Sequence, residues 1–314
     1  MTESPELLLS PKRRYINSIL KNWQLYLFLL PAVLNFAFFT YAPMYGIQLA
    51  FKDLSMRAGI TRSPWASPHW YSHFERFMTG HMFWTLIQNT IIISLYGLLA
   101  GFPIPIILAL MLNECKNKRF MKIVQNVTYA PTFISTVIIV GMIRLFFMQN
   151  GIINQLLALL NIQGTDWLMR GDIFRHLFVW TGIWQGMGMS SVIYFAALAG
   201  VPPDLHEAAI IDGATRIQRM WHVSIPWILP TIVILFILAS AGIMTVGFER
   251  IFLMQNGLNI RVSEVISTYV FKLGVERRDY SLGAAVGLFN NVINMILLFT
   301  VNAIAKRVSD ISLF

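Results

Sequence analysis

The stretch VPPDLHEAAIIDGATRIQRMWHVSIP, residues 201–226, lies between two apolar runs and carries its own start and stop signals. Pro202 and Pro203 interrupt the helix before them, because proline has no N–H to donate and its ring clashes with the preceding turn. Asp204 followed by Glu207 has capping-box spacing, so a short helix is expected to begin near Asp204. Gly213 can adopt the left-handed stop after Asp212. Thr215 with Gln218 is a second capping box and predicts another short helix. Pro226 marks the entry to the next apolar run. Ala208 and Ala209 are small enough for a partner's backbone to approach closely. The stretch reads as helix, turn, helix lying across a membrane face.

Outward from it the chain is apolar. Stretches free of Asp, Glu, Lys and Arg run over residues 22–51, 77–113, 123–143, 176–203, 220–248 and 280–305, each long enough for a helical span at about 1.5 Å per residue. Of 314 residues, 56% are hydrophobic and 12% charged, whereas soluble proteins carry about 25% charge. Mean hydropathy is +0.61. No run alternates with period two, which argues against a membrane barrel. The reading is an all-α membrane protein of about six transmembrane helices, with a tail at 1–23, a six-span domain at 24–305 and a second tail at 306–314. The first run follows Lys12, Arg13, Arg14 and Lys21, yet it outlasts a signal peptide's apolar region and lacks an A-x-A site, so it reads as a retained helix.

The formal charge of +9 is better explained by membrane topology than by nucleic acid, which is not expected as a partner. The N-terminal tail, residues 113–122, residues 200–222 and the C-terminal tail hold twelve Lys and Arg, against ten in the longer opposite loops. That bias, with Lys116, Lys118, Arg119 and Lys122 clustered in one short loop, favours cytoplasmic termini. The single cysteine, Cys115, excludes a disulfide scaffold.

The 201–226 stretch resembles the EAA loop of permease subunits in type I ABC importers: E-A-A, three residues, G, nine residues, then I-x-L-P. The chain has Glu207, Ala208, Ala209 and Gly213, then Val223, Ser224, Ile225 and Pro226; both departures are aliphatic exchanges. DGA at residues 212–214, Gln218 and the Met220-Trp221 pair are similar to the carbohydrate-importer branch. GFERIFLMQN and VISTYVFKLGVERRDYSLGAAVGLFNNVINMILLF resemble its polysaccharide and oligosaccharide permeases, including those for alginate. The resemblance implies a subunit of the bacterial inner membrane that imports an oligo- or polysaccharide, acidic cargo among the possibilities. It implies a cytoplasmic coupling helix between spans four and five, with Asp204, Glu207, Ala208, Ala209, Asp212, Gly213 and Arg216 facing a cytoplasmic ATPase dimer. It also implies a second, non-identical permease and an extracytoplasmic solute-binding protein. ATP and Mg belong on the ATPase. This chain has no G-x-x-x-x-G-K-[ST], H-E-x-x-H, C-x-x-C or G-x-S-x-G, so no cofactor, metal or catalytic residue is expected in it.

Counting helical rise from the assigned ends puts Asn290, Asn291 and Asn294 roughly 14–20 Å into the sixth span. Ser94, Tyr96, Ser135 and Gln185 come to similar depth. These seven are candidate cargo contacts, since sugars need donors and acceptors beside apolar or aromatic faces; interhelical hydrogen bonding is the competing role. Gly182, Gly186 and Ser190 read first as a helix-packing ladder. The same counting puts Arg144, Glu249 and Arg250 together at the outer mouth, where an Arg144–Glu249 ion pair is expected and the remaining arginine is free to attract acidic cargo. The rival is an ion-coupled secondary transporter of a small polar solute, which calls for intramembrane carboxylates. Glu249 is its one candidate here.

Overall fold

The computed structural model describes residues 21–309; the remaining residues of the two expected tails, 1–20 and 310–314, lie outside this range. The described chain is helical almost throughout, with one isolated β-bridge between Lys52 and Trp65. Five helical stretches are long and apolar enough to cross a membrane: Trp23–Phe51, Phe83–Asn113, Thr136–Ala158, Arg216–Ala241 and Tyr280–Arg307. Gly171–Leu198 is a sixth helix of spanning length, with 28 residues. The six-span reading is thus correct in its elements, although two spans differ from their expected form.

The third apolar run is broken. Helix Lys118–Tyr129 ends in a 3-10 turn, Ala130–Phe133, and a new helix, Thr136–Phe147, starts behind Ser135. Pro131 supplies the cause, because it cannot donate to the preceding turn. The fourth span supplies the repair: Thr132 Oγ1 donates to the Gln185 carbonyl at 2.7 Å, and Gln185 Nε2 donates to the Ile134 carbonyl at 3.4 Å. The fifth span is shorter at one end and longer at the other than expected. It runs from Arg216, through a π-helical turn at Met220–Ser224, to Ala241. Pro226 has no N–H for the turn before it, and Ile225 N donates five residues back to the Met220 carbonyl. Beyond Ala241 the backbone opens and a short helix, Phe248–Met254, folds back. Asn294 of the sixth span closes this opening, its Oδ1 accepting from Met244 N at 3.0 Å and its Nδ2 donating to Thr245 Oγ1 at 3.0 Å.

Three apolar clusters hold the spans together. Ile93, Ile139, Phe174, Ile251, Met254 and Val265 join spans two, three and four to the Phe248–Met254 helix. Phe77, Leu86, Met244, Ile266 and Val286 tie span two to span six and the connection before it. Leu110, Tyr194, Leu198 and Ile228 gather the ends of spans two, four and five next to residues 201–226. The first span stands apart: residues 23–45 are exposed, and the chain packs on the sixth span through the segment Tyr45–Phe51.

Spans three and four approach most closely at Gly188, which is buried; a Cβ there would fall on the Thr128 carbonyl and the Tyr129 ring. Two residues earlier, on the opposite side of the helix, nothing lies within 4 Å of a Cβ added at Gly186. Gly188→Ala should therefore destabilise the folded protein by about 1–3 kcal/mol through overpacking. Gly186→Ala should be neutral, or stabilising by up to about 1 kcal/mol as the ordinary helical gain. Thermal aggregation of the two variants in one detergent checks this, and equal midpoints would refute the contact.

Candidate functional site

Residues 201–226 fold as one short helix joined to the fifth span by a tight turn, residues 212–215. The helix Pro203–Ile211 has Pro203 in its first turn and Pro202 as N-cap, with no side-chain cap bond. The capping box expected from Asp204 and Glu207 is therefore absent. Proline's fixed φ already starts the helix one residue earlier, which leaves Asp204 in the first turn, where its carboxylate faces the positive end of the helix dipole. At the other end Gly213 adopts φ +77°. Gly213 N donates to the Ile210 carbonyl at 3.0 Å and Ala214 N to the Ala209 carbonyl at 2.9 Å, a Schellman stop. The Thr215–Gln218 box forms in both directions: Thr215 N donates to Gln218 Oε1 at 2.7 Å and Gln218 N to Thr215 Oγ1 at 3.4 Å. The helix it starts is the beginning of the fifth span, not a separate piece as the sequence suggested.

Asp204, Glu207, Ala208, Asp212, Gly213 and Arg216 are exposed on this element, and Ala209 is half-buried. Between them the segment leaves apolar side chains open, with Ile211 85% exposed and Ile217 64%. Arg219 Nη2 pairs with Glu114 Oε2 at 3.2 Å, both side chains largely covered, and so fastens the start of span five to the end of span two. This pair is invisible in the sequence, since its members are 105 residues apart.

The seven candidate cargo residues divide by what they bond. Ser135 is the N-cap of Thr136–Phe147, and Gln185 and Asn294 close the two helix breaks. Tyr96 joins a surface triad: its hydroxyl lies 2.9 Å from His176 Nδ1 and accepts from Trp180 Nε1 at 2.8 Å. Ser94 Oγ and Asn290 Oδ1 are buried without a hydrogen-bond partner. Asn291 is exposed and lines a groove of about 600 Å³ between the sixth span, Gly46 and Phe271.

The three outer-mouth charges are arranged otherwise than expected. Arg144 donates to the Leu253 carbonyl and makes no ion pair with Glu249, which is exposed. The helical count behind that expectation assumed an unbroken third span. Arg250 lies deeper, against Phe178, Thr181 and Gly182 of the fourth span. Gly182 and Gly186 line a cavity beside it, so their spacing is not helix packing; Gly188 has that role.

A buried carboxylate escaped the sequence reading altogether. Glu264, 4% exposed, pairs with Lys272 Nζ at 2.6 Å and accepts from Thr268 Oγ1 at 3.1 Å. Asn89 of span two donates to the Glu264 carbonyl at 2.9 Å and accepts from Arg175 Nη2 at 2.8 Å. Glu264 sits in a stretch rich in charges, and nothing in its sequence neighbourhood signals burial.

The fold is a multi-span helical membrane bundle with a capped helix fixed to the base of one span and polar side chains spent on internal breaks. Residues 101–310 match the family described as "Binding-protein-dependent transport system inner membrane component", and the chain belongs to that family. It is 37% identical over 313 residues to Protein LplB of Bacillus subtilis, covering 99% of this chain and 98% of that one. Polygalacturonan/rhamnogalacturonan transport system permease protein YteP of the same organism is 36% identical over 300 residues, covering 95% and 92%. A crystal structure of a bacterial ABC transporter involved in the import of the acidic polysaccharide alginate superposes with a TM-score of 0.86 at 35% identity, over 94% of this chain and 99% of the other. A second, of an alginate transporter in complex with a periplasmic protein bound to alginate pentasaccharide, gives 0.85 at 34%, over 95% and 99%.

The Thr215–Gln218 box makes a local prediction. Thr215→Ala should cost about 0.5–2 kcal/mol and release it locally, so that hydrogen exchange speeds up over residues 212–219 while spans two, four and six keep their protection. Uniformly faster exchange would show that the box stabilises the whole bundle instead.

Proposed function

We propose that this chain is the permease subunit of an ATP-binding-cassette importer for an oligo- or polysaccharide, and that residues 201–226 receive the motion of a cytoplasmic ATPase. The carrying observation is the Pro203–Ile211 helix, exposed on its outer side and fixed to the fifth span by Gly213 and the Thr215–Gln218 box. Glu207, Ala208, Ala209, Asp212, Gly213 and Arg216, with the open side chains of Ile211 and Ile217, are its docking face; Asp204 orients the helix. ATP and Mg are bound by the partner. YteP's polygalacturonan and the alginate of the structural relatives support an acidic cargo. The periplasmic protein in one of those complexes supports a solute-binding partner. A second permease follows from the two docking sites of an ATPase dimer, and the first span, apolar and exposed over residues 23–45, offers it a surface. Orientation follows from the ATPase: residues 201–226 and both termini face the cytoplasm. Ser94, Asn290 and Asn291 remain the pathway candidates whose polar groups are spent neither on helix breaks and caps nor on the Tyr96–His176–Trp180 triad.

The ion-coupled reading has little support. It needs a titrating carboxylate within the membrane, and among the described residues the buried one, Glu264, is held by Lys272 while Glu249 is exposed.

Two measurements test this. Affinity-purified chain should bring an ATPase with it, and Gly213→Val, which strains a left-handed residue by roughly 1–2 kcal/mol, should leave insertion intact while cargo-stimulated ATP hydrolysis falls. Transport by the purified chain alone, driven by an ion gradient without ATP, would overturn the reading. For orientation, a membrane-impermeant maleimide should label Cys115, the single cysteine, in inverted vesicles and spare it in intact cells. The opposite pattern would invert the topology.

A further inference from the structure

Arg250 is held in the interior of the bundle in a manner that no carboxylate of the described chain explains. It lies on the short helix Phe248–Met254 and reaches Thr181 and Gly182, about 15 Å along the fourth span from its start at Gly171. Three contacts orient it. Nη2 donates to Thr181 Oγ1, the guanidinium carbon sits 5.2 Å from the centroid of the Phe178 ring, and Nη1 lies over Gly182 where a Cβ would collide with it. The fourth span thus has glycine where the cation rests flat on the helix, an aromatic face that favours positive charge, and a hydroxyl that accepts one N–H.

Nothing neutralises the charge. The ion pairs among the described residues join His73 to Asp53, Arg76 to Asp279, Arg170 to Asp172, Arg219 to Glu114 and Lys272 to Glu264. The neighbouring Glu249 turns outward, and Arg250 Nε is buried without an acceptor. An unpaired cation at such depth is costly unless a ligand or water meets it. Room for one exists: Arg250 lines a cavity of about 270 Å³ between spans two and four, with Gly97, Gly101 and Gly186 as bare walls. An adjoining cavity of about 230 Å³ shares Ile93, Gly97 and Phe178 with it and reaches Ser94, whose hydroxyl oxygen is also unpaired.

We propose that Arg250, seated by Gly182, Thr181 and Phe178, is an anion-recognising residue inside the translocation pathway that takes a carboxylate of an acidic saccharide. The assignment rests on the acidic-carbohydrate reading above and adds to it the residue and the chemistry. Guanidinium offers paired N–H donors that match a carboxylate, and glycine walls let a sugar ring approach helix backbone. The depth favours cargo over lipid, since headgroup phosphates stay at the membrane surface.

The test uses the complete transporter with its partner subunits in proteoliposomes and two probes on one sugar backbone, tetragalacturonate and its fully methyl-esterified form, which loses the charges and gains one methyl group per carboxyl. The readout is the acid-to-ester uptake ratio of each variant relative to wild type, which cancels any discrimination by the solute-binding protein. Arg250→Gln should lower the ratio about tenfold, the loss of one charge-assisted contact, and Arg250→Lys should recover part of it. An unchanged ratio in Arg250→Gln, whether total uptake falls or holds, would overturn the assignment and leave Arg250 a packing residue while the acidic-cargo reading stands. Wild-type transporter that imports neutral arabino-oligosaccharide and neither probe would sink the acidic-cargo reading and this assignment with it.

Discussion

Inside a bilayer no water is present to satisfy a backbone N–H or C=O, so each helix break must be repaired by the protein. Much of this structure follows from that constraint. The break at Pro131 is closed by Gln185, and the opening beyond Ala241 by Asn294. The turn around Glu264 is closed by Asn89 and Thr90 of the second span. On the connection between spans three and four, Asn154 Nδ2 donates to the carbonyls of Met148, Gln149 and Thr165. Asn154 closes its own connection, whereas the first three repairs come from another span, so that there a helix break becomes a tether between elements far apart in sequence. Apolar contacts bring the spans together; the amides decide their register.

Charge follows the same economy. Glu264 with Lys272 and Glu114 with Arg219 are paired where they are covered, and breaking such a pair leaves an uncompensated charge, which costs far more than the pair itself contributes. The exposed Arg170–Asp172 pair is different, since water screens it on both sides. Among the described residues, three covered or half-covered cations have no carboxylate: Lys52 is met by Gln48 and the Ile60 and Thr61 carbonyls, Arg175 by Asn89, and Arg250 by Thr181 and the Phe178 ring.

The sequence made the 201–226 segment legible because its signals are local. Gly213 has to be left-handed for the stop, and Thr215 with Gln218 can meet only each other; both are as the residues suggest. The Asp204 box failed for an equally local reason, since Pro203 starts the helix first. Spans were legible as composition and not as shape. Counting rise along an assumed straight helix carried Arg144 to Glu249, whereas Pro131 stops the count part-way. Polar residues at mid-depth were visible, but not whether their hydrogen bonds go to cargo or to a backbone group elsewhere in the chain. That depends on partners such as Ile134 and Met244, whose side chains are apolar and give no warning. Gly182 and Gly188 look alike in sequence; one faces a guanidinium, the other a carbonyl.

The join between the Pro203–Ile211 helix and the fifth span has a mechanical side. A helix of 26 residues is a beam of about 39 Å, and here no slack chain separates it from the surface helix at its base. Tilting the base by about 5° would sweep the far end through roughly 3 Å if the beam were uniform. It is not uniform, because the π-helical turn at Met220–Ser224 and Pro230 weaken its hydrogen-bond ladder near the base. Its compliance is gathered in that one flexure, and the length above Pro230 moves as a stiff arm. At the tip of that arm stands Ala241, immediately before the opening that Asn294 closes, so flexing near residues 220–230 loads the bonds to Met244 and Thr245 first.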